Sequence, residues 1–295
     1  MSFDPAPDPQ LTILIAGANG MLGRDLQAVL AETSHTVTAL GRDALDITDL
    51  DAVRAASAGH DVIINAAAYT KVDDAESDED TAYAINATGA GNLATAAAEN
   101  GAMLVQVSTD YVFDGTATTP YAETEPVNPV SAYGRTKAEG ERLALENNPG
   151  RTHIVRTAWI YGEHGSNFVK TMLRLGRERD TVSVVTDQVG QPTWTVDLAR
   201  RIVELVEADA PAGIYHGTNS GEASWFDFTR EIFRLSGLDP DNVLPTDSAT
   251  FVRPAPRPAY SVLGHDAWGR AGFSPMRPWK ESLAEAIATT SIAKS

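Results

Sequence analysis

The chain has 295 residues, enough for a full hydrophobic core, with 23 Lys and Arg against 40 Asp and Glu and a net charge of −17. Such acidity argues against nucleic acid or an anionic membrane as partner, and the lack of cysteine rules out disulfides, thiolate nucleophiles and cysteine-ligated metals. No apolar run reaches the ~18 residues of a membrane span, and the Pro- and Asp-rich segment 1–10 reads as a disordered tail rather than a leader, so the cytoplasm is the expected compartment.

From residue 11 onward, apolar runs alternate with helical patterns, the signature of βαβ units and a doubly wound parallel sheet. Strands are predicted near 11–16, 36–40, 61–66, 102–108 and 153–158, with shorter ones near 182–185 and 213–216. Helices are predicted near 20–32, 49–58, 80–100, 131–147, 165–178, 195–208 and 224–236, with a last one from about 278 to 290. The first strand runs into Gly17-Ala-Asn19-Gly20-Met21-Leu22-Gly23 and then an amphipathic helix. Strand, glycine turn and helix is the context of a dinucleotide site: the turn lets backbone approach a pyrophosphate, whose charge then faces the helix N-terminus. The second strand ends in Gly41-Arg42-Asp43. An acidic residue there would hold a ribose hydroxyl and an arginine a 2′-phosphate; with Arg42 first, NADPH is expected and NADH tolerated. The third strand ends in Asn65-Ala66-Ala67-Ala68, small side chains that let a cofactor lie against the backbone, or a helix cross closely.

The fourth strand ends in Ser108-Thr109-Asp110. Side chains alternate along a strand, so one of the two hydroxyls faces a site beyond its carboxyl end. Asn128-Pro-Val-Ser131 then breaks the chain, with Ser131 placed to cap a helix that carries Tyr133 and Lys137 at i and i+4, on one face. A neighbouring ammonium favours the phenolate and makes tyrosine a usable acid or base. Hydroxyl, Tyr/Lys pair and dinucleotide loop together point to a carbonyl reductase. A bare Tyr-x-x-x-Lys would be an ordinary exposed helix face; the other two features decide against that.

The order GANGMLG, NAAAYT, STDYVFDG, YGRTK and RTAWIYG, with DQVGQPT at 187–193 and RPAYSVL at 257–263, resembles the extended short-chain dehydrogenase/reductase superfamily. Within it the chain is most similar to dTDP-4-dehydrorhamnose reductases, over about residues 11 to 290. The resemblance implies a Rossmann-type core at 11–160 and a small mixed α/β substrate lobe at 161–295, interleaved with the last Rossmann elements. It favours Thr109 over Ser108 for holding the ketone oxygen, with Tyr133 as proton donor and Lys137 bonding the nicotinamide ribose and lowering the tyrosine pKa. It adds Asp46 and Ile47 beside the adenine, and Thr70, Val72, Asp110 and Trp159 beside the sugar. Asn167, Gln191 and Arg257 would contact the nucleotide from the lobe, and Asn86 would fix its own helix. An acidic surface requires any nucleotide site to be locally basic, and Arg42, Lys71, Arg174, Arg177, Arg253 and Arg257 are the candidates.

The reaction so implied is NADPH-dependent reduction of dTDP-6-deoxy-L-lyxo-4-hexulose to dTDP-L-rhamnose, for surface polysaccharide, with a nucleotide sugar as the partner and a homodimer allowed. The six histidines show no ligand spacing and no metal site is expected; some relatives hold Mg²⁺ between subunits near the last helix, where Glu281 and Glu285 stand, but two Glu at that spacing are usually a solvated face. Two alternatives remain: a nucleotide-sugar epimerase, which would show no net oxidation, and a non-catalytic subunit such as the regulatory subunit of methionine adenosyltransferase.

Overall fold

A computed structural model describes residues 10–294; the tail expected over 1–10 lies, except for Gln10, outside the described residues. Thr12–Ala16 (β1), Thr36–Leu40 (β2), Val62–Asn65 (β3), Met103–Thr109 (β4) and Thr152–Thr157 (β5) lie in one sheet. After the short strands Ile160–Tyr161 (β6), Val182–Val185 (β7), Val189–Gly190 (β8) and Thr193–Trp194 (β9), the chain returns to that sheet at Gly213–His216 (β10). The strand order is β10-β5-β4-β3-β1-β2, and every pairing is parallel. Strand order therefore reverses at β1, which opens a crevice beyond the carboxyl ends of β1 and β3.

Both faces of this sheet are covered, which is why its strands read as unbroken apolar runs. Along β1, Ile13 and Ile15 join one core cluster while Leu14 and Ala16 join the other. The first cluster is closed by Met21–Leu30 (α1) and Thr195–Glu207 (α7). The second is closed by Leu50–Ser57 (α2), Gly89–Asn100 (α4) and Ala132–Asn147 (α5). Local caps start these helices as the sequence indicates: Asp49 accepts from Asp51 N and Ala52 N at the head of α2, and Ser131 accepts from Gly134 N at the head of α5.

The single helix predicted over 80–100 is divided. Glu79–Tyr83 (α3) passes through a π-helical turn at Ala84–Thr88 into α4. The buried Asn86 sits in that turn, where it accepts from Tyr69 N and donates to Tyr69 O and Thr136 Oγ1. A tertiary demand on one side chain thus overrides the helical register, as π-turns at functional sites commonly reflect.

A third cluster builds the lobe from Phe168–Glu178 (α6), Trp225–Leu235 (α8), Trp279–Thr289 (α10) and a parallel pair of β7 with Val243–Thr246 (β12). Ala223–Ser224 (β11) pairs antiparallel with β8, β6 pairs with β9, and Asp266–Arg270 (α9) packs its Trp268 under the main sheet. Strand β12 escapes sequence reading because Leu244-Pro245 breaks its pattern, and two-residue strands have no pattern to read. Helix α6 starts at Phe168 rather than 165 because Asn167 caps it.

Beneath the sheet edge, Glu141 of α5 and Arg156 of β5 form a buried bidentate pair at 2.9 and 2.7 Å. Removing one partner from such a pair strands the other charge in a dry interior, at a cost of about 3–5 kcal/mol. Glu141→Ala is therefore expected to lower unfolding free energy by about that amount, read from denaturant midpoints, with Glu141→Ala/Arg156→Met recovering part of the loss. Destabilisation below about 1 kcal/mol would show that water reaches the guanidinium.

Candidate active site

Two grooves flank the carboxyl edge of the sheet. The first, of about 570 Å³, is lined by Gly17, Asn19, Gly20, Arg42, Asp46, Ile47 and Ala66–Ala68. Gly17 has φ +83° and a Cβ there would stand 2.5 Å from Ala67 N, so only glycine lets the two strand ends form this cradle. No side chain caps α1, which leaves the first-turn N–H groups of Met21 and Leu22 facing the cradle without an internal cap. Beyond that backbone role, the side chain of Leu22 belongs to the core, and Gly23 tucks under the turn against Gly17 O. Arg42 is exposed on the groove wall, whereas Asp43 is not part of the lining. Asp46 turns its carboxylate onto Thr48 N and Oγ1, and Ile47 packs against Gly89. A groove of this build fits a dinucleotide: a glycine cradle at a helix N-terminus with an arginine at the second strand's end.

The second groove, of about 640 Å³, lies between sheet and lobe and is lined by Tyr111, Trp159, Phe168, Trp225, Arg253 and Arg257, among others. Trp159 stacks on Trp225 at 3.5 Å and lies over Gly190, where a Cβ would meet the indole at 2.6 Å. Its backbone has φ +48°, an outlier for so bulky a residue and a strain that packing must hold. Arg257 bonds Asp73 at 2.9 Å and Arg253 approaches the same carboxylate at 3.8 Å, tying the 251–258 strap to the loop after β3. Sequence reading did not single out Asp73; two arginines in one Pro-rich stretch were its only signal.

Thr109, Tyr133 and Lys137 come together where β4 ends and α5 begins, outside the linings of both grooves. Gly134 makes this possible: a Cβ there would lie 2.2 Å from Tyr111 O, so α5 can rest on the turn that follows β4. Ala132 N bonds Glu76 Oε1 at 2.8 Å, a second tie on the helix start that the sequence did not reveal. Thr109 Oγ1 accepts from Tyr111 N and donates to Asp110 Oδ1 at 3.0 Å. Ser108 points the other way and is buried, its hydroxyl without a partner. Tyr111 packs edge-on against Tyr133, ring centroids 5.6 Å apart, and so joins the second groove to the Tyr/Lys helix.

The electrostatics differ from the expectation that Lys137 depresses the tyrosine. Burial pushes the Tyr133 hydroxyl up to about 12, with the Thr109 hydroxyl pulling against it. Lys137, only 4% exposed, donates to Val107 O at 2.6 Å, and burial lowers its ammonium to about 8 despite the pull of Glu141. The ammonium is thus turned to the β4 backbone, and burial, not the ammonium, sets the direction of the Tyr133 shift. Burial also raises the Asp110 carboxyl to about 6.

Other expected contacts fall elsewhere. Thr70 is exposed and Val72 half-buried on the loop after β3, outside both linings. Asn167 caps α6 and donates to Gly162 O. Gln191 is buried with both amide ends bonded, to Leu263 and Thr218, so it shapes the lobe instead of offering a free donor to the groove. Among the described residues no cluster of three or more His, Asp or Glu could hold a metal; Glu281 is exposed and Glu285 bonds Arg277. No helix of the described residues is long and apolar enough to cross a membrane.

Residues 11–292 match the family described as the RmlD substrate binding domain. The chain belongs to this family. It is 50% identical to a dTDP-4-dehydrorhamnose reductase of Streptomyces griseus, over 96% of this chain and 95% of that one. It is equally 50% identical to a dTDP-4-keto-6-deoxy-D-glucose reductase of Streptomyces niveus, over 93% and 96%. Among solved structures, the dTDP-4-dehydrorhamnose reductase of Bacillus anthracis str. Ames in complex with NADP superposes with TM-score 0.91 at 41% identity, covering 96% of this chain and all (100%) of that one.

The approach at Gly134 yields a direct test. Gly134→Ala must move α5 away from the Tyr111 carbonyl, and misplacement of a reacting group by about 1 Å can cost on the order of 10²-fold. Turnover is expected to fall by about that factor while circular dichroism and cofactor affinity stay close to the parent. Undiminished turnover would show that α5 can shift without moving Tyr133.

Proposed function

We propose that the protein is an NADPH-dependent reductase of the 4-keto group of dTDP-4-dehydrorhamnose, giving dTDP-L-rhamnose in the cytoplasm. What supports this reading is the meeting of Thr109, Tyr133 and Lys137 where β4 ends and α5 begins, in a chain that also carries a glycine cradle at the head of α1 and an arginine-bearing groove whose Tyr111 touches Tyr133. Gly17, Asn19, Gly20 and the first turn of α1 would hold the pyrophosphate, Asp46 and Ile47 the adenine side, Ala66–Ala68 the nicotinamide half, and Arg42 the 2′-phosphate. NADPH held there would supply the hydride for the ketone carbon.

The protein's own groups do the rest. Tyr133, kept neutral by burial at any ordinary pH, holds the proton that the ketone oxygen takes as it becomes an alkoxide. The Thr109 hydroxyl bonds the same oxygen. Lys137, charged below about pH 8, holds the nicotinamide ribose. Trp159 and the Arg253/Arg257 pair place the hexose and the diphosphate in the second groove. Relatives at the same identity carry names with different 4-keto sugars, so the product decides the isomer.

Incubation with NADPH and dTDP-4-dehydrorhamnose is expected to consume one reduced cofactor per dTDP-L-rhamnose formed. Tyr133→Phe should lower turnover by about 10²–10⁴-fold with cofactor binding intact. No net NADPH consumption with dTDP-4-keto sugars, as an epimerase would show, or near-normal turnover in Tyr133→Phe, would overturn the reading.

Cofactor choice is tested at Arg42. A guanidinium–phosphate bond contributes roughly 1.5–3 kcal/mol, so Arg42→Ala should weaken NADPH about 10- to 100-fold and leave NADH within a few-fold. Equal losses for both in binding titrations would reduce Arg42 to a surface residue and remove the preference for NADPH.

A further inference from the structure

The Thr109 hydroxyl has one proton to give, and the Asp110 carboxylate and the Tyr133 hydroxyl both lie within its reach. A threonine hydroxyl is a single donor with two acceptor lone pairs. Here it accepts from Tyr111 N at 3.2 Å and donates to Asp110 Oδ1 at 3.0 Å. A substrate ketone, which can only accept, needs that same proton. While Asp110 is a carboxylate it competes for it as the stronger acceptor, since hydrogen bonds to ionised groups are about twice as strong as neutral ones.

Asp110 is poorly placed to stay ionised. It is 2% exposed, and its carboxylate meets only the hydroxyls of Thr109 and Ser261 and nearby backbone N–H groups, with no hydrogen bond shorter than 3.5 Å to Oδ2. The groups that face it are the Ser261 hydroxyl from the 257–263 loop, Tyr133 from α5 and its own neighbours Thr109 and Tyr111. Arg257 and Asp73 act on Tyr111 next to it, and among the described residues no lysine or arginine pairs with the Asp110 carboxylate itself. A buried carboxylate that has only neutral donors and no charged partner is destabilised by burial and takes a proton more readily.

We propose that Asp110 is a positioning residue that acts in its protonated form, donating to Thr109 Oγ1 across the existing contact and so turning the threonine's own proton toward the ketone. No heavy atom need move: the 3.0 Å contact is kept and its donor reversed. The carboxylic acid proton stays on Asp110 and the threonine proton stays on Thr109, so the step costs no net proton and the proton delivered to the alkoxide still comes from Tyr133. The direction of the pH effect follows. Protonated Asp110 prevails below about pH 6 and is lost as pH rises through that value, so the Thr109 contribution is present at low pH and withdrawn above it. This inference rests on the reductase reading.

The test is kcat and kcat/KM for dTDP-4-dehydrorhamnose at saturating NADPH, from about pH 5 to 9, in the full chain and its variants. The parent is expected to show a limb near pH 6 on which activity falls by up to about tenfold per pH unit, levelling at the activity of Thr109→Val. In Asp110→Asn the side-chain NH₂ can donate to Thr109 at every pH, so that limb should vanish and activity at pH 8 should exceed the parent's. Thr109→Ser should keep the limb, and Thr109→Val should lack it with or without Asp110→Asn. A parent limb that survives in Asp110→Asn, or an equal effect of that substitution with and without the Thr109 hydroxyl, overturns the inference alone. A chain that consumes no NADPH with any dTDP-4-keto sugar overturns the functional reading and this inference with it.

Discussion

The contact between the first two turns of α5 and the end of β4 sets everything else at the site. Helix α5 lies closer to the Tyr111 carbonyl than any side chain at 134 would allow. Its own Ser131 caps it, and three other segments hold it there: Glu76 binds Ala132 N, Asn86 reaches Thr136, and Val107 O takes the Lys137 ammonium. The position of Tyr133 relative to Thr109 is therefore fixed by the β3 loop, the π-turn and β4 together. A π-turn that places one asparagine is consistent with the same demand, because an uninterrupted helix over 80–100 would carry Asn86 to another angle.

That contact also makes the site dry, and dryness decides its charges. Tyr133 and Asp110 rise and Lys137 falls, each mainly because burial disfavours its charged form. The buried Glu141, one turn beyond Lys137, keeps part of the ammonium's charge in place while its own carboxylate is held by Arg156. The overall charge of −17 opposes an anionic nucleotide at a distance, but exposed charges are screened beyond about 8 Å at physiological ionic strength. Within that range the second groove carries Arg179, Arg253 and Arg257 and no acidic side chain in its lining, whereas the first sets Arg42 against Asp46 and Asp80.

What the sequence made legible was local. The β1 run, its glycine turn and the amphipathic α1 lie within one stretch, as do Tyr133, Lys137 and the Ser131 cap, and periodicity and spacing are enough to read them. The doubly wound sheet follows from the same local signals, since buried parallel strands are apolar on both faces. Contacts made across long separations left no such trace. Asn167 and Gln191 read as polar residues facing a lobe site, yet one serves as a helix cap and the other bonds a loop that lies 72 residues away. Asp73, Glu76 and Gly134 matter because of what the fold brings against them. The relation of Lys137 to Tyr133 shows the limit most clearly: i and i+4 place two side chains on one face, but a carbonyl on the neighbouring strand decides where the ammonium turns.

The second groove is walled by residues that follow sheet strands and bear on the lobe. Tyr111, just past β4, lines the lobe groove and touches Tyr133; Trp159, just past β5, stacks on Trp225 at the head of α8 and lies on Gly190 of β8. The left-handed backbone at Trp159 is a strain that persists only where its surroundings over-determine it. Here they do: the stack, the glycine beneath it and the strand before it leave the indole one place to be. The Arg253/Arg257 strap, fastened to Asp73 from the opposite side, closes the same groove. The lobe is thus joined to the sheet through the very side chains that line the groove, so packing that holds the lobe in place also shapes the wall a ligand would meet.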